Sequence, residues 1–214
     1  RMRSLAVTQE NLDNQREAVK EEKRLRYDNQ PYGQIFDLIA EMIYKNFANA
    51  HSTIGSMEHL DDASVEDVQE FFRIYYAPNN AVLVVTGDFD PVRTRALIEN
   101  YFADIPATKL PPPADLREPR QEKEKRAGRT DPLATRPALA IAYHMPERLT
   151  PEWYAFGLID RALAQGSDSL LYEELVRRQG LTGGVDAGIN WGLGSMFDYK
   201  GPMLWMAQFF HDAT

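Results

Sequence analysis

No cysteine occurs in the 214-residue chain, which excludes a disulfide framework and any thiolate metal site. No apolar run approaches the length that spans a bilayer, so no membrane span is expected. Arg1-Met2-Arg3-Ser4 is not followed by an apolar stretch, so no secretory signal is visible there. Basic charge is also in short supply. Lys and Arg number 24 against 32 Asp and Glu, giving a formal net charge of −8 and a pI near 5.1. A surface of that sign repels phosphate, so no nucleic-acid partner is expected. An acidic groove for basic peptides stays compatible with it, because totals do not describe distribution.

The usual chemical motifs are missing as well. The four histidines, His51, His59, His144 and His211, are too far apart in sequence for any two to clamp a metal from one helix. Neither HExxH nor HxxEH occurs, nor a phosphate-binding glycine loop, nor a Gly-x-Ser-x-Gly elbow. Each lone histidine therefore reads as a surface or packing residue.

What is present is enough apolar material, 43% of residues with 11% aromatic, for one good core or two small ones. A charge-dense helix is expected over about Gln9–Arg26, with a thin apolar stripe at Leu12, Val19 and Leu25, ended by Asp28-Asn29-Gln30-Pro31. A second helix runs from about Gly33 to Lys45, with Ile35, Leu38, Ile39, Met42 and Ile43 on one face. Ser64 and Asp67 form a capping box opening a helix to Tyr76, whose buried side would be Val65, Val68, Phe71, Phe72 and Tyr75. The continuous run Ala81-Val82-Leu83-Val84-Val85 predicts a strand covered on both faces. Asp90 and Pro91 then start a helix to about Phe102.

Proline and charge dominate from Pro106 to Pro137, which reads as a solvated linker between two lobes. Beyond it, Ala138–His144 is expected as a strand, Pro151–Ala164 as a helix, and Asp168–Gln179 as another closed by Gly180. Thr182–Asn190 and Pro202–Phe210 predict two strands around the turn-rich Trp191-Gly192-Leu193-Gly194-Ser195. From the residues alone this is an acidic two-domain α/β protein.

Four blocks carry a resemblance to the pitrilysin-like M16 metallopeptidases. They are Gln15-Arg16-Glu17-Ala18-Val19-Lys20-Glu21-Glu22-Lys23-Arg24, His51-Ser52-Thr53-Ile54-Gly55-Ser56-Met57-Glu58-His59-Leu60, Tyr75-Tyr76-Ala77-Pro78 with Asn79 through Pro91, and Gly166-Ser167-Asp168-Ser169 through Leu181. They follow the family's order, which makes the set far more specific than any one block. The resemblance implies an α+β fold, helices packed on mostly antiparallel sheets, with parts of two homologous domains. Residues 1–133 would be the later part of the first, catalytic-type domain plus a linker, and 134–214 the earlier part of the second.

The family's chemistry follows from an HxxEH helix and a later helix that supplies a glutamate ligand to zinc. The metal lowers the pKa of its water and polarises the scissile carbonyl, and the HxxEH glutamate acts as general base. Here the resemblance places the metal ligand at Glu22, and Gln15 stands seven residues earlier where the family often has a second glutamate. Glu21 is the competing register. Glu22 is preferred because it shares a face with Val19 and Leu12. No catalytic residue falls within this chain, which is expected to be an internal stretch lacking HxxEH, inactive alone and holding little or no zinc.

Ser169-Leu170-Leu171 departs from the family's Ser-Arg-Leu and loses a charge that anchors the helix. The implied partner is a peptide or unfolded polypeptide that adds to a sheet edge, in a chamber that a homo- or heterodimer can complete. A non-catalytic partner subunit is the alternative reading. The blocks resemble bacterial exported members, so a periplasmic address is expected, with the cytoplasm as the alternative.

Overall fold

The computed structural model describes residues 2–212 apart from Gly192, which therefore lies outside the described part of the turn-rich stretch. The chain forms two compact units that interleave in sequence. The first comprises Arg1–Glu22 and Ile54–Pro113, the second Lys23–Thr53 and Ala114–Thr214. The fold class is α+β as expected: helices with a small antiparallel sheet.

In the first unit, α1 (Gln9–Lys23) reaches its boundary, and α4 (Met57–Asp62), α5 (Val65–Tyr75) and α6 (Pro91–Phe102) follow. The capping box is present: Ser64 Oγ accepts from Asp67 N at 3.1 Å, and Asp67 Oδ2 accepts from Ser64 N at 2.9 Å. These bonds satisfy two of the orphan donors at the start of α5, and the Ser64 hydroxyl at 2.6 Å, with the Ser64 N–H beside it, holds the Asp67 carboxyl below its usual range. Asp90 Oδ1 accepts from Arg93 N at 2.9 Å and caps α6, with Pro91 in its first turn.

Two expectations fail in this unit. Ala81–Thr86 forms no strand among the described residues, and Val82 and Val84 are 91% and 73% exposed. The α5 face expected to be buried leaves Phe71 and Tyr75 exposed. The cause is common to both. β-branched content predicts that a segment suits a sheet, but burial requires a neighbouring strand and a covering layer. Among the described residues of the unit, Ala77 alone is buried.

The second unit has a true core. After α1 the backbone widens into a π-helical turn at Arg24–Asp28, followed by α2 (Ile35–Ile43) and the short α3 (Phe47–Ala50). Gly33 is required where that turn meets α2, because a Cβ there would lie 2.0 Å from the Tyr27 carbonyl oxygen. Three strands follow, β1 (Ala138–His144), β2 (Asp186–Ile189) and β3 (Leu204–Phe210), in the antiparallel order β1-β3-β2. Helix α7 (Pro151–Ala164) lies between β1 and β2 in sequence, and the segment expected as an α-helix before Gly180 is π-helical over Tyr172–Arg178. Gly180 ends it with φ of +63°, the left-handed conformation that a residue without Cβ adopts at no steric cost.

Central strand β3 is buried on both faces. Leu204 and Met206 pack against Ala40, Ile43 and Tyr44 of the α2 region, while Trp205 and Ala207 pack against Ala164 of α7. Trp205 Nε1 donates to the buried Asp160 carboxylate at 2.7 Å, and Gln165 Nε2 bridges Asp160 Oδ1 and the Ala187 carbonyl. These bonds pair the Trp205 indole N–H and the Asp160 carboxylate inside the core.

Leu204→Ala should lower the unfolding free energy of the chain by about 2–5 kcal/mol, the cost of a cavity in a packed core. Val82→Ala should change it by no more than about 0.5 kcal/mol, as at exposed sites generally. Denaturant titration followed by tryptophan fluorescence checks both.

Candidate functional site

Helix α1 carries the expected metal ligand, and its placement follows from how the helix is held. Arg16 donates to the carbonyls of Leu60 at 2.7 Å and Ala63 at 2.6 Å, closing the C-terminal end of α4 with a cation. Asp13 accepts from the same guanidinium at 2.6 Å. Lys20, one turn on, pairs with Asp61 and, at 3.4 Å, with Glu17. The Asp61 carboxylate raises the Lys20 pKa. Arg16 and Lys20 thus fix the rotation of α1 within its unit.

With that rotation, Leu12, Val19 and Glu22 fall on the half-buried side of α1, while Gln15 and Glu21 are exposed. Among the described residues, no three His, Cys, Asp or Glu side chains converge to hold a metal. A catalytic zinc takes three protein ligands. Among the described residues, the donors therefore do not by themselves complete a three-ligand zinc site.

The histidines also stay apart. His51 stacks on Phe47 at 5.0 Å and bonds the Phe47 carbonyl through Nδ1 at 2.7 Å. His144 sits at the end of β1, edge-on to Tyr44 at 6.0 Å, with Nε2 unpartnered and its pKa lowered by burial. Both have packing surroundings, as lone histidines were expected to have.

Sequence reading missed a clamp in the second unit. Glu118 accepts from the backbone N–H groups of Lys45 at 2.7 Å and Asn46 at 3.0 Å, and from Asn49 Nδ2 at 2.6 Å. Asn49, itself buried, also donates to the Leu116 carbonyl at 3.0 Å, and Asn46 to that of Asp115. Further along, Asp131 Oδ2 accepts from Tyr32 N at 2.7 Å, and the Tyr32 hydroxyl donates to the Arg136 carbonyl at 2.6 Å. Residues 115–118 are therefore bonded to α3 and the two residues before it, and 131–136 to Tyr32 in the turn before α2. This corrects the reading of Pro106–Pro137 as a simple solvated linker. It has no helix or strand, yet backbone donors beside α3 recruit its carboxylates. An Asn-x-x-Asn pair opening a short helix was the only local signal.

Between these two attachments Lys125 donates to the Met42 carbonyl and Arg129 to Gln34, and an open trough of about 2180 Å³ is bordered by α2, β1 and residues 116–137. β1 is an edge strand of the sheet. Its outer backbone groups face the side on which an extended chain could add.

Comparison with known proteins places this geometry in context. Residues 62–200 match the family described as the peptidase M16 inactive domain. A zinc protease of Helicobacter pylori, PqqE, is 26% identical over 182 residues, covering 84% of this chain and 41% of that protein. An uncharacterised zinc protease of Streptomyces coelicolor is 24% identical over 180 residues, covering 82% and 39%. The chain thus spans less than half the length of these relatives. Among solved structures, a protease from Helicobacter pylori superposes on all of this chain and 50% of its own with a TM-score of 0.83 at 22% identity. The periplasmic protease PqqL of Escherichia coli superposes with a TM-score of 0.59 at 17% identity, covering 23% of that chain.

Glu118 is held below its usual pKa, since burial raises it but the donors from Asn49, Lys45 and Asn46 outweigh that effect. A depressed folded-state pKa contributes stability that is present above the unfolded value and lost as pH falls through the folded one. Acidification below the usual glutamate range should therefore loosen the 115–118 attachment. Glu118→Gln should lower stability at neutral pH and flatten this acid limb. Denaturant midpoints measured at several pH values check the sign.

Proposed function

Because the chain belongs to the peptidase M16 family, we propose that it is an internal part of a zinc-dependent endopeptidase that hydrolyses peptides or unfolded segments in a two-domain chamber. One observation carries this reading: Glu22 lies on the half-buried side of α1 together with Leu12 and Val19, while Glu21 faces outward. In the parent, Glu22 would be the third protein ligand, with the HxxEH segment supplying the other two and the general base. Gln15, seven residues from Glu22 and so on the same face of α1, would adjust the surroundings of the metal without adding charge. The relatives that match most of this chain carry the name zinc protease, which supports the same reaction class.

The homologous-domain assignment, 1–133 and 134–214, belongs to this proposal. It describes ancestry, whereas the compact units describe packing. Unfolded or extended polypeptide is the substrate class. One solved M16 neighbour, a ferredoxin protease, was captured with a plant ferredoxin, which supports a protein substrate for the family. No helix of the described residues is long and apolar enough to cross a membrane. The periplasmic address stated for PqqL supports an exported parent.

A second reading has its own observation. The matching family description is that of an inactive domain, which favours a non-catalytic subunit completing the chamber of an active partner in a homo- or heterodimer.

Substitution in the intact parent separates the two readings. Glu22→Gln should abolish or greatly reduce metal content and turnover while leaving the fold unchanged, because a neutral amide is a poorer zinc ligand. Glu21→Gln should do much less, since adjacent side chains point about a hundred degrees apart around the helix. Loss in Glu21→Gln alone would reverse the register, and no loss in either variant would favour the non-catalytic subunit. Metal analysis and a peptide-cleavage assay give these readouts. The 214-residue chain alone, after dialysis, should hold far less than one zinc per molecule and show no chelator-sensitive cleavage of casein.

A further inference from the structure

Strands β2 and β3 carry two polar side chains onto the α2 face of their sheet. Asp186 is opposite Gln208 in the register of the strands. Gln208 follows Leu204 and Met206 at alternate positions, so all of them share that face. The rings of Tyr27, Tyr32, Phe36, Trp191 and Phe210 border an open cavity of about 380 Å³ here, and Asp186 and Gln208 line it with them. That volume lies toward the lower end for small-ligand pockets. Every one of these residues belongs to the second unit. Gln208 is only 7% exposed, yet its carboxamide makes no hydrogen bond among the described residues, and Asp186 forms no ion pair among them. Buried polar groups are paired in folded proteins, so an unpaired carboxamide lining a cavity calls for a partner from outside. The rings of this corner already draw cations. Lys23 Nζ lies 5.6 Å from the centre of Tyr27, and the Arg136 guanidinium 5.9 Å from that of Phe210.

We propose that this cavity takes an arginine side chain of an extended polypeptide. Its guanidinium donates to the Asp186 carboxylate and to the Gln208 carboxamide oxygen, and its plane rests against the aromatic rings. Each alternative occupant meets an obstacle. An acidic side chain faces the Asp186 carboxylate and the negative faces of the rings. An apolar side chain leaves Gln208 unpaired and strips water from Asp186 without replacing it. The lysine ammonium is a compact, strongly hydrated charge, whereas guanidinium is planar, weakly hydrated and donates as a fork, which suits rings beside two acceptors. Arg26 is exposed at the rim, where its charge weakens the attraction without blocking the acceptors. The net charge of −8 favours the approach of basic polypeptide. As a statement about substrate, a preference for arginine-containing segments rests on the peptidase reading; the binding itself does not.

Titrating the 214-residue chain with acetyl-Ala-Arg-Ala-amide, and with the Lys, Gln, Glu and Leu counterparts, tests the proposal. Calorimetry and the fluorescence of Trp191, absent in Trp191→Phe, give the readouts. The arginine peptide should bind with Kd on the order of 1 mM, about tenfold tighter than the Gln, Glu and Leu peptides and about threefold tighter than the Lys peptide. Asp186→Asn should weaken arginine binding about tenfold and Gln208→Leu about fivefold. Arg26→Gln should tighten it about twofold, and Asp198→Asn, outside the cavity, should leave it unchanged. Asp186 is exposed, so its substitution leaves the core intact, and near-ultraviolet circular dichroism verifies this. No binding of the arginine peptide at about 10 mM, equal binding of the Gln or Leu peptide, or an unchanged affinity in Asp186→Asn would overturn the proposal. Preference for the Glu peptide, or weaker arginine binding in Arg26→Gln, would overturn it in favour of an anion site. Neither zinc nor cleavage enters these measurements, so the arginine site and the peptidase reading fail independently.

Discussion

Strand β3 is the constraint on which the second unit depends. Its seven residues pair with β1 along one edge, and Trp205–Gln208 pair with β2 along the other, so neither outer strand belongs to a sheet without it. Alternate side chains then fall on opposite faces, Leu204 and Met206 toward α2, Trp205 and Ala207 toward α7. A one-residue slip of register would exchange these sets and place Trp205 away from Asp160, stranding a buried carboxylate. Packing and the Trp205–Asp160 bond therefore enforce the same register.

The first unit lacks any such element. Its helices have sound local signals: a complete capping box at Ser64, an Asp90 cap, and α1 held by Arg16 and Lys20. Those devices satisfy helix ends and surface charges, and each contributes modestly. Burial of apolar area is the dominant favourable term in folding, and here it is nearly absent. The carboxylate expected at the metal is on this unit, on the side of α1 that already carries the apolar stripe.

Charge plays different parts in the two units. In the first, Arg16 and Lys20 orient a helix. In the second, Glu118 and Asp131 fasten irregular backbone by accepting several N–H groups each, an arrangement that depends on their remaining ionised. The proline-rich segment is thus anchored at residues 115–118 and 131–136, and between them Lys125 and Arg129 reach the Met42 carbonyl and Gln34.

Local chemistry in the sequence determined the elements: β1 and α7 have the expected bounds, and the Ser64 and Asp90 caps lie where their spacing places them. These features depend on backbone groups a few residues away, so the sequence states them directly. The four family blocks likewise pointed to the M16 fold. Tertiary structure alone decided what each element faces. It put β3 at the centre and left Ala81–Val85 bare. It also turned a charged stretch into a clamp on Asn46 and Asn49, and widened two helices into π turns. Each of these outcomes depends on partners far away in sequence, and no window of neighbouring residues contains them.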